Sequence, residues 1–154
     1  MKKLLLVLVL FLGLLKADGD VKKAVFDLTT SDLRTFENRM IKAVAFNNSH
    51  YQTTFKELDI IVIVHGGAYK FFVKDISKTK CKEDKKLQAK AKEIHERLAS
   101  LVKTYSVKFL MCGVGMKAKN IEKENVLEFV EVIPSAMVGL IDAQNDGYAF
   151  IPID

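Results

Sequence analysis

Five β-branched residues in succession, Ile60 to Val64 within LDIIVIVH, leave few folds open to this chain. A strand with one face in water alternates apolar and polar side chains. This run has no polar break, so both of its faces must be buried. Parallel sheets with helices on both sides produce such strands. Gly66 and Gly67 stop the run. They carry neither a G-x-G-x-x-G pattern nor a Lys-Ser/Thr ending, so they are no phosphate loop by themselves.

The remaining patterns alternate strand and helix. Val21–Leu28 reads as a first strand, and Thr29 to Asp32 offer N-caps. Leu33, Phe36, Met40, Ile41 and Val44 recur at helical spacing and predict a helix to about Asn47, ended by Asn47, Asn48 and Ser49. Ala68 to Val73 begins a short helix. Its Tyr69, Phe71 and Phe72 form an apolar cluster suited to the core or to an oligomer contact. The lysine-rich stretch from Lys74 to Lys86 reads as an exposed loop holding Cys81. Leu87, Ala91, Ile94, Leu98 and Leu101 then mark a long amphipathic helix. Val107 to Met111 is a third strand, followed after Cys112 by a short basic segment to Asn120. Phe129 to Ile133 is the fourth. Pro134 ends it, Ser135 can cap a helix carrying Met137, Leu140 and Ile141, and Gly147 stops that helix before a last strand at Tyr148 to Ile151. The order β-α-β-α-β-α-β-α-β requires crossover connections and predicts an α/β fold with a mainly parallel five-stranded sheet.

The beginning of the chain reads as an address. Met1 to Lys3 are a positive head and Leu4 to Leu15 are apolar apart from Gly13, with Ala17 before the expected cut. That run is shorter than the roughly 20 residues a membrane span needs. It fits a secretory signal over residues 1–17, with an uncleaved anchor as the rival. Residues 18–154 would then form a single exported, periplasmic-type domain with no stable membrane insertion. Lys2, Lys3 and Lys16 leave with the signal, so the formal charge falls from +5 to +2. So small a charge gives no basis for a nucleic-acid partner. Two cysteines, Cys81 and Cys112, are too few for a disulfide framework and lack zinc spacing. No metal or cofactor is expected.

Cys112 is the first candidate for chemistry. It stands where the third strand emerges and turns toward Gly-Val-Gly, and ligand and catalytic groups of open α/β sheets gather at the carboxyl ends of strands. Backbone N–H groups at a helix start there would favour its thiolate. The plain alternative is a buried cysteine acting as a small hydrophobe. His65 ends the second strand at the same side of the sheet and could orient or deprotonate the thiol, or serve the Gly66–Gly67 turn structurally. Gly66, Gly67, Lys117 and Lys119 are candidate ligand-binding residues, against the reading that both lysines are simply solvated. Cys81 could bridge Cys112, resolve a mixed disulfide there, or be a free surface thiol. His50 and His95 show no metal-ligand pattern.

The succession IVIVHGG (61–67), KFLMCGVGMKAKNI (108–121) and VEVIPSAMVGLIDAQNDGYAFI (130–151) resembles the DsrE/DsrF-like sulfur-relay proteins, in their small exported branch. The likeness covers Val21 to Pro152. It implies an α/β/α three-layer sandwich, assembly as homo-oligomers and, in the sulfur-trafficking members, a cysteine after the third strand that carries sulfane sulfur as a persulfide. The matching residue is Cys112. Asn120 stands where relatives often have Gly, and Asn too tolerates left-handed backbone. The export signal is a departure, because well-understood relay proteins of the family work in the cytoplasm. The expected function is therefore a sulfur carrier or thiol-exchange protein using Cys112, a sulfurtransferase-type carrier if it is an enzyme at all. Its partners would be sulfur donor and acceptor proteins or polysulfide. The alternative is a non-catalytic binding or assembly module of the same fold with a structural Cys112.

Overall fold

A computed structural model describes residues 21–154. The leader expected over residues 1–17 lies outside the described residues. Five parallel strands form one sheet in the order β4-β3-β2-β1-β5. They are β1 (Val21–Leu28), β2 (Glu57–Val64), β3 (Lys108–Cys112), β4 (Val130–Ile133) and β5 (Ala149–Ile153). The β-branched run of β2 lies between β1 and β3, and Ile60, Val62, Ile63 and Val64 are fully buried.

The helices lie where crossover handedness puts them. From β1 to β4 the chain steps across the sheet in one direction, so right-handed crossovers place the intervening helices on one face. These are α1 (Leu33–Thr35), a π-helical segment (Phe36–Lys42), α2 (Ala43–Thr53), α3 (Lys85–Tyr105) and the short α4 (Gly113–Ala118). The step from β4 back to β5 reverses direction, and its helix α5 (Ala136–Asn145) covers the other face, packing on β1 to β4. The expected sandwich is present, with α5 as its second helical layer.

The first helix departs from expectation in length and in form. Asn47 and Asn48 do not end it. Their side-chain amides donate to the carbonyls of Ala43 (2.8 Å) and Val44 (3.1 Å), one turn back, and the helix runs on to Thr53, carrying His50. Phe55, with φ 57°, completes the stop. The middle of the helix is widened to π geometry, and Phe36, Met40, Ile41 and Val44 still reach the core.

The lysine-rich loop is also more ordered than its composition suggests. A 3-10 turn at Ile76–Lys78 buries Ile76, and Asp84 caps α3 by accepting from the Leu87 N–H at 3.0 Å. The Tyr69–Phe72 cluster belongs to the core. Phe71 stacks on Phe36 with ring centroids 4.0 Å apart, and Phe72 meets Phe36 edge-on. Pro152 is accepted within β5 because, among the described residues, that strand is an edge paired with β1 alone.

Candidate functional site

Cys112 is the last residue of β3 and the N-cap of α4, with φ −67° and ψ 113°. The residue is 7% exposed. The glycines that follow allow two other segments to close around it. A Cβ at Gly113 would lie 3.0 Å from the Ile133 carbonyl oxygen, at the end of β4. A Cβ at Gly115 would lie 1.9 Å from the Tyr69 hydroxyl oxygen. Gly-Val-Gly is therefore a packing requirement of the site. Val114, between the glycines, is 62% exposed.

The sulfur is surrounded by donors. Burial pushes the Cys112 thiol up. Against it, the backbone N–H groups of Gly115 and Ala136, the Tyr69 hydroxyl and the Val114 N–H all favour the thiolate, and the net effect holds the thiol below its ordinary value. Gly115 and Val114 belong to the first turn of α4, and Ala136 opens α5. Thus the ends of β3 and β4, and the starts of both following helices, converge on one atom.

Tyr69 ties the segment after β2 to this point. Its hydroxyl donates to the Cys112 carbonyl oxygen at 2.8 Å. Burial, followed by the neighbouring Cys112 side chain, raises the phenol well above its usual range, so it stays protonated and acts as a donor.

His65 has a different partner from the one expected. Its Nε2 lies 2.5 Å from the Asp27 carboxylate on β1. Register places this pair close to the thiol. Val64 pairs with Met111, so the next residue along each strand is His65 and Cys112. Ile63 and Ile133 both point at α5, since a Cβ on Gly139 would meet their Cδ1 atoms. Asp27 pairs with Ile63, and Cys112 with Ile133. Strand alternation therefore puts Asp27, His65 and Cys112 on the α5 face, on three neighbouring strands. The donors that lower the Cys112 thiol most are backbone N–H groups and Tyr69, while the hydrogen bond of His65 Nε2 goes to Asp27.

Most of the other candidates gather around one cavity beside Tyr69. Gly66, Gly67, Cys81 and Lys119 line a cavity of about 140 Å³ together with Tyr69. Gly66 takes φ 61°, and its turn packs tightly on Thr29 and Ser31. The Lys119 ammonium lies 5.8 Å from the Tyr69 ring centre. Lys117 is exposed and does not line this cavity. Asn120 has φ 54°, the left-handed geometry anticipated for it. Cys81 is half-buried, and it and Cys112 are both free thiols with no bridge between them. A larger cavity of about 700 Å³ lies against β1, β5 and α2, lined by Asn38, Arg39 and Tyr51, and touches none of these groups. His95 is held low by burial against the helix packing. Among the described residues no cluster of His, Cys, Asp or Glu could hold a metal, and no helix is long and apolar enough to cross a membrane.

Three participants escaped the reading of the sequence. Asp27 is the lone acid in the apolar half of VKKAVFDL, and that isolation was a usable signal. Tyr69 passed as one of three aromatics, although only it carries a hydroxyl. The Ala136 N–H is a backbone donor and has no signature in residue type.

Comparison with known proteins agrees with this architecture. An uncharacterized protein of Aquifex aeolicus (strain VF5) is 32% identical over 154 residues, an alignment that takes in 99% of this chain. The chain spans 64% of that relative's length. The solved structure of a protein of unknown function from Methanobacterium thermoautotrophicum matches with a TM-score of 0.60, at 19% identity, covering 88% of this chain and 99% of that one. At that identity the likeness is one of fold. A family model described as the DsrE/DsrF-like family matches residues 23–153, and the chain belongs to that family.

Proposed function

We propose that the protein accepts and passes on sulfane sulfur at Cys112. The observation that carries this reading is the place of Cys112, at the carboxyl end of β3 as the N-cap of α4, with the Tyr69 hydroxyl bonded to its carbonyl oxygen at 2.8 Å. The donors of this setting, a donor cage, hold its thiol below the ordinary value and so favour the thiolate, the attacking form in sulfur exchange. In the loading step the Cys112 thiolate attacks the outer sulfur of a donor persulfide, R–S–SH. The new bond gives Cys112–S–SH, the donor S–S bond breaks, and its electron pair leaves on the donor thiolate. An acceptor thiolate then attacks the outer sulfur of Cys112–S–SH and restores the Cys112 thiolate. Neither step changes the total oxidation state.

The donor and acceptor belong to the proposal as thiol proteins or polysulfide. So does work outside the cytoplasm, which the apolar stretch Leu4 to Leu15 supports. Assembly with further copies is proposed on exposed apolar side chains, among them Met137 (71% exposed) and Ile141 on α5. The second reading, a structural Cys112 in a binding module, draws on the burial of that residue. Cyanolysis separates the two. Polysulfide-treated wild-type protein should release thiocyanate in proportion to chain, and Cys112→Ala should release only what Cys81 holds. Equal release from both proteins favours the structural reading.

A further inference from the structure

The cavity behind Tyr69 is not used by the exchange chemistry described above. Its walls are Ser31, the Gly66–Gly67 turn, the Thr79–Cys81 loop, the Tyr69 ring, Ile121 and three lysines. No carboxylate lines it. Lys70 is neutralised by Asp84 at 2.8 Å. Lys80 and Lys119 are not ion-paired among the described residues, so two positive charges remain at the rim. The wall that carries the second thiol is held in place. The Thr79 hydroxyl donates to the Ile76 carbonyl at 2.8 Å and accepts from the Cys81 N–H at 3.1 Å.

We infer that this cavity binds a small anion bearing sulfane sulfur, of the class of thiosulfate or a short hydropolysulfide. The inference takes only its ligand class from the relay reading. Size fits. The cavity of about 140 Å³ holds roughly four to five waters at about 30 Å³ each, and so an anion of about five heavy atoms. Charge fits, since two ammonium groups meet no acid. The mixed lining favours thiosulfate over sulfate. Ser31, Thr79 and the lysines can take oxyanion oxygens, while a thiol, an aromatic ring and an isoleucine suit a polarisable sulfur end that sulfate lacks. The cavity binds and makes no bond. It would hold such an anion beside Cys81, in a cavity that Cys112 does not line.

The test uses the folded chain at constant ionic strength, with thiosulfate as probe and sulfate as control. Saturating thiosulfate should slow alkylation of Cys81 by about tenfold relative to a small free thiol in the same solution, a reference that corrects for reagent consumed by thiosulfate itself, and sulfate should leave that ratio unchanged. The double variant Lys80→Gln/Lys119→Gln should bind thiosulfate at least about tenfold more weakly by calorimetry, as expected for losing charge-assisted contacts. Lys117→Gln should bind as wild type does. In the Cys81→Ser/Cys112→Ser double variant, where no thiol can react, hydropolysulfide that displaces thiosulfate identifies sulfane chains as ligands too. Failure to displace it narrows the ligand to thiosulfate. Equal protection by sulfate, no protection by either anion, or equal weakening by Lys117→Gln overturns the inference. Cys112→Ser should leave the protection intact, so a failure of sulfur loading at Cys112 and a failure of this cavity register separately.

Discussion

The Tyr69 hydroxyl donates to the Cys112 carbonyl oxygen over 2.8 Å while the Cys112 sulfur lies beside the same hydroxyl. A phenol has one proton to give and here has two acceptors. When the thiol ionises, the sulfur becomes the stronger acceptor and competes for that proton. Tyr69→Phe should therefore raise the pH at which Cys112 becomes reactive. It should also lower stability by about 1–3 kcal/mol, since a buried acceptor loses its partner. Alkylation rate against pH, together with urea unfolding, reads both effects.

Gly115→Ala sets two effects against each other. Alanine favours a helix interior over glycine by up to about 1 kcal/mol. The added methyl would lie 1.9 Å from the Tyr69 oxygen and 2.7 Å from Cζ, and the Tyr69 ring is buried and cannot swing clear cheaply. Overpacking of this kind costs about 1–3 kcal/mol. The clash should win. The expected result is a net loss of stability in denaturant titration, with altered Cys112 reactivity because Tyr69 is displaced.

The depressed Cys112 pKa has a consequence for stability. The folded protein releases this proton at lower pH than the unfolded chain, whose thiol titrates near about 8.5. Between the folded value and the unfolded one, the unfolded state binds more protons, so stability rises with pH. The gain is complete above the unfolded pKa and is lost as pH falls through the folded one. Cys112→Ser has no such titration. Wild-type stability relative to Cys112→Ser should therefore climb with pH across that window, and a flat difference would contradict the donor cage.

His65 tests whether proximity in register means chemistry. Its Nε2 is bonded to Asp27 at 2.5 Å, on the strand away from Cys112. His65→Gln should cost about 1 kcal/mol at most, as the pair is partly solvated. It should leave the pH profile of Cys112 alkylation where it was. A shift in that profile would assign His65 a role at the thiol after all.

Much of the fold was legible because burial on two faces leaves so clear a trace. Ile60 to Val64 could only be an inner strand, and the spacing of Leu87, Ile94, Leu98 and Leu101 could only be a helix with one buried stripe. The place of Cys112 followed from the same logic, as the point where a strand ends and Gly-Val-Gly begins. The extent of α2 was not legible. Asparagine at a helix end and asparagine bonding back to the previous turn look alike in sequence, and Asn47 and Asn48 do the second. The His65–Asp27 pair and the Ala136 donor depend on which strands become neighbours, a fact written in the topology alone. Likewise, Cys81 and Lys119 are brought to one cavity by the loop and the segment after α4, not by spacing along the chain.

The most direct measurement is the mass of the folded protein, mapped to single residues, after brief exposure to hydropolysulfide and again after adding an acceptor thiol. The account predicts that Cys112 gains the mass of one sulfur atom and loses it to the acceptor, and that Cys112→Ala shows neither change at that position. A Cys112 that stays unmodified in the folded chain while Cys81 is loaded would contradict it.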